Sequence, residues 1–347
     1  MIGNQELELA VSCQKTVNDI LNVKPGETLL ITIDSKADFR IAEAMARAGE
    51  CAGAKTMIAY HNTPPGYGKV GEAYLPDSLH GAIVRADAWV ELNNQWLLYS
   101  SAWEEAMRKG TKTRYFFLGG LDVDMINRCI GAIDLKHLRD FMTTVVEMTR
   151  ASKKMRITTP AGTDVSFTNV GRNVTNECHA STPGPHFLLG QIGWAPLEES
   201  INGDIVFDGS FSGGGPADLG ILNKPIKLVC KKGRIVSIEG EEGAKFLSEW
   251  LKSLNDDAMY NLAHVCYGFN PGARLSGLCT EDERVWGSTE WGFGYQGPFF
   301  EGTAGEAVTH CDGICLNSSV WLDGHQILNE GKVVDPKLAQ LAKLLGK

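Results

Sequence analysis

Residues 28–60 read TLLITIDSKADFRIAEAMARAGECAGAKTMIAY, and the fold class follows from this stretch. Thr28–Ile33 and Thr56–Tyr60 are short, β-rich apolar runs, and residues 36–52 between them carry a helical pattern. Strand, helix and strand in alternation are the signature of parallel α/β packing. The pattern extends in both directions. Upstream, Leu7, Leu9, Ala10, Cys13, Val17, Ile20 and Leu21 recur at helical spacing over residues 5–22, and Pro25-Gly26 ends that element. Downstream, Ala88–Leu92 and Arg114–Leu118 read as further strands, separated by helical stretches at 76–86 and 101–109. The first 150 residues are therefore expected to form an α/β domain on an open, twisted, doubly wound parallel sheet. Asp34-Ser35 is placed to cap the helix starting near Lys36, and the loop TPPGYG at 63–68 follows the second strand, where such sheets line a cleft. Neither Gly-x-Gly-x-x-Gly nor a phosphate loop follows the first strand, so nucleotide binding is not indicated.

After a helix at 134–150 the texture changes to paired strands with Gly turns. Met155–Thr159 with Asp164–Thr168, and Ile226–Cys230 with Arg234–Glu239, read as hairpins, and Glu241–Leu254 as an amphipathic helix. Residues 151–347 are expected to form a β-rich α+β domain. Ser212-Gly213-Gly214-Gly215-Pro216 reads as a turn that resembles an anion-binding nest.

The chain has 347 residues, and 33 basic against 42 acidic side chains give a net charge of −9, with no basic cluster for a phosphate backbone. A nucleic-acid partner is excluded. No apolar run approaches the roughly 20 residues that span a bilayer, and the start, MIGNQE, lacks a basic segment followed by an apolar one. A cytoplasmic protein without a membrane partner is expected. Nine scattered cysteines form no Cys-x-x-Cys pair, which points to buried thiols rather than disulfides or a structural zinc knot.

The chemistry concentrates late in the chain. In Thr309-His310-Cys311-Asp312, a strand would place His310 and Asp312 on one face, so that both could bind one metal; alone, the pair also describes an isolated His and Asp at a strand end. His264 lies in the apolar run LAHVCY before a Gly-Phe-Asn-Pro-Gly turn. It is either a hydrogen-bonded core histidine or the third ligand. Two histidines and one carboxylate leave open positions on Fe(II) for substrate and dioxygen, whereas a structural zinc would be closed by a fourth ligand.

Gly243-Ala244-Lys245-Phe246-Leu247, Ala263-His264 through Asn270-Pro271-Gly272-Ala273, and Thr309-His310-Cys311-Asp312 resemble the 2,5-dihydroxypyridine dioxygenase family, itself related to the M29 aminopeptidases. The resemblance spans nearly the whole chain and is clearest after residue 150. It implies an Fe(II) ring-cleaving dioxygenase with His264, His310 and Asp312 as iron ligands, a hydroxylated heteroaromatic substrate with O2, and a homo-oligomer.

The resemblance also implies substrate residues. A Pro-Gly loop makes His186 a hydrogen-bonding or proton-transfer partner, or else a histidine that caps backbone groups, with Glu177 and His179 beside it. Where the family places a histidine in the N-terminal domain, this chain has Tyr99, a poorer proton shuttle near neutral pH. Trp194 and Trp291 either stack on a planar substrate or pack the core. A two-metal aminopeptidase is the rival reading. There a glutamate is expected at His264 and a histidine-tyrosine stretch before the last His-x-Asp, and neither is present, although Glu281, Glu283, Glu290, Glu301 and Glu306 offer other carboxylates. A binding protein that kept the fold and lost the metal is the third.

Overall fold

The computed structural model describes residues 5–347; Met1–Asn4, at the start of the N-terminal stretch read above, lie outside the described residues. The chain divides into two compact units, one comprising residues up to Ile133 with Glu177–Leu189, the other Asp134–Asn176 with Gly190–Lys347. A single boundary at residue 150 therefore does not describe it. Helix Leu135–Ala151 groups with the second unit, where it packs against helix Pro336–Leu344. Residues 177–189 belong to the first because Gly184–Phe187 hydrogen-bonds there as a strand. No helix among the described residues is long and apolar enough to cross a membrane, and all nine cysteines are free thiols, only Cys51 being exposed.

The first unit is built on a five-stranded, all-parallel sheet in the order Lys55–His61, Thr28–Asp34, Ala88–Glu91, Arg114–Phe117, Gly184–Phe187. The first four follow the 2-1-3-4 order of a doubly wound sheet. Thr28–Asp34 runs centrally and is buried along almost its whole length, which is why its sequence is apolar without alternation. Helix Phe39–Cys51 turns Ile41, Ala42, Met45 and Ala48 inward, the i, i+3, i+4, i+7 stripe visible in the sequence. Its cap is Asp38, whose carboxylate accepts the Arg40 N–H, and not Asp34-Ser35. Asp34 instead accepts the backbone N–H groups of Lys36 and Gln95, so it fastens two loops at the carboxyl end of the sheet. Leu30, Trp89, Trp103 and Tyr115 centre the core on one side of this sheet.

The second unit holds two antiparallel sheets. One has eight strands, in the order Arg234–Gly240, Ile226–Lys231, Asn202–Phe207, Asp164–Thr168, Lys154–Thr158, Ser319–Leu322, His325–Asn329, Lys332–Val333. It contains both hairpins expected from the sequence. The other has six, in the order Gly220–Ile221, Ser210–Ser212, His310–Cys315, Thr289–Gly294, Leu262–Gly268, Gln191–Trp194. Phe167 of the larger sheet packs between Trp194 and Trp291 of the smaller, with ring centroids 6.4 and 5.4 Å away. Apolar burial between the sheets, at roughly 25 cal/mol per Å², holds the unit together. In the turn after Ser210–Ser212, the Ser212 hydroxyl and the Gly214 N–H both donate to Asp218, so the protein's own carboxylate occupies the expected nest.

Candidate metal centre

Three adjacent strands of the six-stranded sheet bring the candidate ligands together. His310–Cys315 pairs with Thr289–Gly294, which pairs with Leu262–Gly268. His310 and Asp312 share one face, as period two requires. His264 reaches that face through its pairing with Gly292, in step with Cys266 opposite Glu290. Leu262 pairs with Phe293 but His264 pairs with Gly292, so Ala263 is an extra residue in its strand, a β-bulge. Without it, alternation would turn Leu262 to the ligand face beside His264. The Gln296 side chain donates to the Ala263 carbonyl at 2.5 Å, satisfying a buried group at the bulge.

Gly292 lies between the ligand strands, opposite both His264 and Asp312. A Cβ there would fall 2.3 Å from His264 Cε1 and 2.8 Å from Nε2, so the absent side chain makes the space the imidazole occupies. Phe300 stacks on the ring, 4.4 Å between centroids and 19° between planes, and His310 lies parallel to it at 5.0 Å and 14°.

Ligand atoms of His264, His310 and Asp312 all lie within 4.8 Å of one another. Asp312 Oδ1 is 2.8 Å from His310 Nε2 and 3.6 Å from His264 Nε2. Donors about 2.1 Å from a divalent ion stand about 3 Å apart at right angles, so the edges suit one ion. His310 Nδ1 donates to the Tyr295 carbonyl at 2.6 Å, which turns Nε2 toward Asp312 and gives the imidazole the outer-shell bond typical of a metal ligand. Without a cation, Nε2 must carry a proton to face that carboxylate. Burial opposes the charge, but Asp312 outweighs it and lifts the His310 pKa to about 9. Burial and the neighbouring His310 push His264 down to about 4, so its imidazole is neutral. One neutral imidazole, one imidazole whose proton a cation can replace, and a carboxylate make a donor set that fits a metal ion.

More donors surround these three. His264, Cys266 and Glu290 form a second possible group, and Cys279, Glu283 and Asp312 a third. Burial pushes the thiols of Cys266 and Cys279 well above their ordinary value, and nearby carboxylates add to the shift. Arg284, almost fully buried, donates to Glu283 and, at 2.7 Å, to Gln191. In the sequence Glu290 was only one of five glutamates offered to a two-metal site. Its period-two relation to Gly292 is the signal that places it on the ligand face.

The other sequence candidates sort differently. Glu177, His179 and His186 do come together in the first unit: His186 Nδ1 is 3.8 Å from Glu177, and the two imidazole centroids are 5.5 Å apart. His186 is not in a loop but in the fifth parallel strand; its Nε2 donates to the Thr182 carbonyl at 2.8 Å, leaving Nδ1 as acceptor, and burial lowers its pKa. Tyr99 has the left-handed backbone angle φ +66°, rare for a non-glycine residue, and its ring packs edge-on against Trp103. Trp194 and Trp291 are no substrate platform. Both pair with Val265, on the sheet face opposite the ligands, and both are fully buried. The Trp194 indole N–H donates to Asn169. His80, His137 and His325 pair with Glu105, Asp134 and Asp335, and His61 with Asn93.

Residues 10–335 match the family model described as 2,5-dihydroxypyridine 5,6-dioxygenase. A curated protein of that name from Pseudomonas putida is 24% identical, the match covering 80% of this chain and 81% of the relative. The solved structure of 2,5-dihydroxypyridine dioxygenase from P. putida KT2440 superposes with a TM-score of 0.79 at 18% identity, covering 96% of this chain and 99% of the other. Wild-type AmpT from Thermus thermophilus superposes at 0.69 and 16%, covering 95% and 100%. At these identities the two structures establish a shared fold.

Proposed function

Because the chain belongs to the 2,5-dihydroxypyridine 5,6-dioxygenase family, we propose that it is a mononuclear Fe(II) enzyme that cleaves the ring of a dihydroxypyridine or a related hydroxylated heteroaromatic, inserting both atoms of O2. The observation that carries the assignment is the convergence of His264, His310 and Asp312 on one sheet face. When bound there, Fe(II) supplies open coordination positions and the electrons with which dioxygen is activated.

The residues of the chain have separate tasks. Tyr295 fixes the His310 ring through Nδ1, Gly292 leaves room for the His264 ring and Phe300 stacks on it, and Gln296 holds the bulge beside it. His264 is buried while His310 and Asp312 are partly exposed, so the donor set is open on one side. His186 would accept a substrate proton through Nδ1, since Nε2 is engaged, and Tyr99 would donate a hydrogen bond; Glu177 and His179 complete the substrate contacts. These roles, together with a cytoplasmic homo-oligomer, rest on the family likeness. The test is metal analysis after anaerobic reconstitution with Fe(II), followed by oxygen uptake with 2,5-dihydroxypyridine and related hydroxypyridines. We expect one iron per chain and one O2 consumed per substrate. Two tightly bound divalent ions without oxygen uptake, together with release of amino acids from peptides, would replace this reading by the aminopeptidase one.

A further inference from the structure

We propose that Glu198 is a positioning residue for the His264 imidazole, acting through residues 295–305; the inference deepens the iron-site reading above and rests on it for its chemistry. These residues belong to the connection between strands Thr289–Gly294 and His310–Cys315. Two of their contacts reach His264. Phe300 stacks on the ring, and the Gln296 side chain donates to the carbonyl of Ala263, the residue before it. Gln296 is buried, and its amide also donates to Glu198 Oε1 at 3.3 Å and accepts the Ala304 N–H at 3.0 Å. A Cβ on Gly302 would lie 2.3 Å from that amide, so the segment folds tightly around it.

A carboxylate from elsewhere in the unit closes the segment. Glu198 opens the short turn Glu198–Ser200 that follows strand Gln191–Trp194. Its Oε1 accepts the Thr303 N–H at 2.6 Å as well as the Gln296 amide, and its Oε2 accepts from Arg172. Arg172 Nη1 in turn donates to the Glu301 carbonyl at 3.2 Å. Glu301 has φ +53°, the left-handed region that non-glycine residues rarely adopt, and this bond holds its carbonyl there. The two side chains are only 12% and 11% exposed, so solvent screens the pair little. Burial opposes the charge on Glu198, but the Thr303 N–H and the other donors outweigh it and hold its pKa below the ordinary value. Glu198 and Arg172 thus grip the segment at 296, 301 and 303, on both sides of Phe300. An imidazole already aimed by its neighbours needs no rearrangement when an ion binds.

The test compares wild-type protein with E198A. Hydrogen–deuterium exchange of the metal-free protein reads the segment, NMR of its 13C-labelled histidine rings reads His264, and anaerobic chelator competition reads Fe(II) affinity. We expect the Thr303 amide to exchange about 10-fold faster, as the loss of one hydrogen bond implies. The His264 ring protons should move downfield as Phe300 leaves the ring face, with those of His310, tied to the Tyr295 carbonyl, moving less. Fe(II) should bind about 10-fold more weakly. In an F300A background, E198A should cost less affinity than it does alone, because part of its effect runs through that ring. If E198A does not fold, because Arg172 is left with an unpaired charge, E198A/R172A removes both charges and must show the same changes. Faster exchange or a lower unfolding temperature with the His264 signals and the Fe(II) affinity of wild type would mark a merely structural role and overturn the inference. A wild-type protein that takes up no iron would overturn the iron-site reading, and the ring signals would then decide the positioning on their own.

Discussion

Gly292→Ala puts one methyl group into the heart of the candidate site and leaves every ligand in the sequence. The added Cβ would lie 2.3 Å from Cε1, 2.6 Å from Nδ1 and 2.8 Å from Nε2 of His264. Comfortable carbon contacts begin near 3.5 Å, so the ring must withdraw by about 1 Å. Phe300 and His310, both stacked on the ring, limit its retreat, and the imidazole must tilt off the position from which Nε2 faces Asp312. A ligand misplaced by that amount costs about 100-fold in affinity, or about 2.7 kcal/mol. The strand itself should not suffer. Gly292 is not among the residues with positive φ, and alanine is no worse than glycine in a strand, so the metal-free variant should unfold within a few degrees of wild type. Chelator competition on the reconstituted protein measures the first quantity and calorimetry of the metal-free protein the second. A Gly292→Ala variant that binds iron with wild-type affinity would refute the placement of His264 at the ion. A variant that loses affinity only because it loses its fold would refute the local argument.

Glu91, buried at the end of strand Ala88–Glu91, titrates far from its ordinary range. Burial raises its pKa to about 8 from 4.5, against the lowering effect of hydrogen bonds from the Tyr115 hydroxyl and the Leu97 N–H. Between those two values the folded protein keeps a proton that the unfolded chain has lost, so stability falls as pH rises from 4.5 to 8, by up to about 5 kcal/mol. Glu91→Gln should flatten that dependence and be more stable than wild type at pH 8; parallel denaturation curves at pH 5 and pH 8 for the two proteins would show the assignment wrong. Tyr99→Phe keeps the ring on Trp103 and removes only the hydroxyl, so it should lower kcat while iron content stays at the wild-type level. Unchanged kcat would remove Tyr99 from the proton chemistry.

The parallel sheet was legible because its strands are buried on both faces and its helices carry one apolar stripe, so each segment declares its own period without knowledge of its neighbours. Gly184–Phe187 declared nothing. It is four residues long, contains Pro185, and joins the sheet only through the ladder with Arg114–Phe117, a partner about 70 residues away. The hairpins at 154–168 and 226–240 were legible because their turns are local. For the site, the alternation in His310-Cys311-Asp312 sufficed to place both side chains on one face. For His264 it did not, because only the pairing of both His264 and Asp312 with Gly292, which the strand's own residues do not declare, brings it beside Asp312. The two tryptophans show the same gap: the rings of Trp194 and Trp291 are planar and suit a substrate platform, yet register alone decides that they line the inner face.

The extra residue at Ala263 makes the surroundings of the candidate site a matter of counting. A chain whose strand ran past Ala263 in regular alternation would retain every histidine, aspartate and glutamate of the site and would pass any test of composition or motif. With the ladder from His264 to Tyr267 kept, its Leu262 would turn from Phe293 toward the ligand face and set an apolar side chain beside the candidate donors. Two sequences of this fold can therefore be alike at every candidate ligand and differ in what surrounds it, the difference lying in the register of a strand.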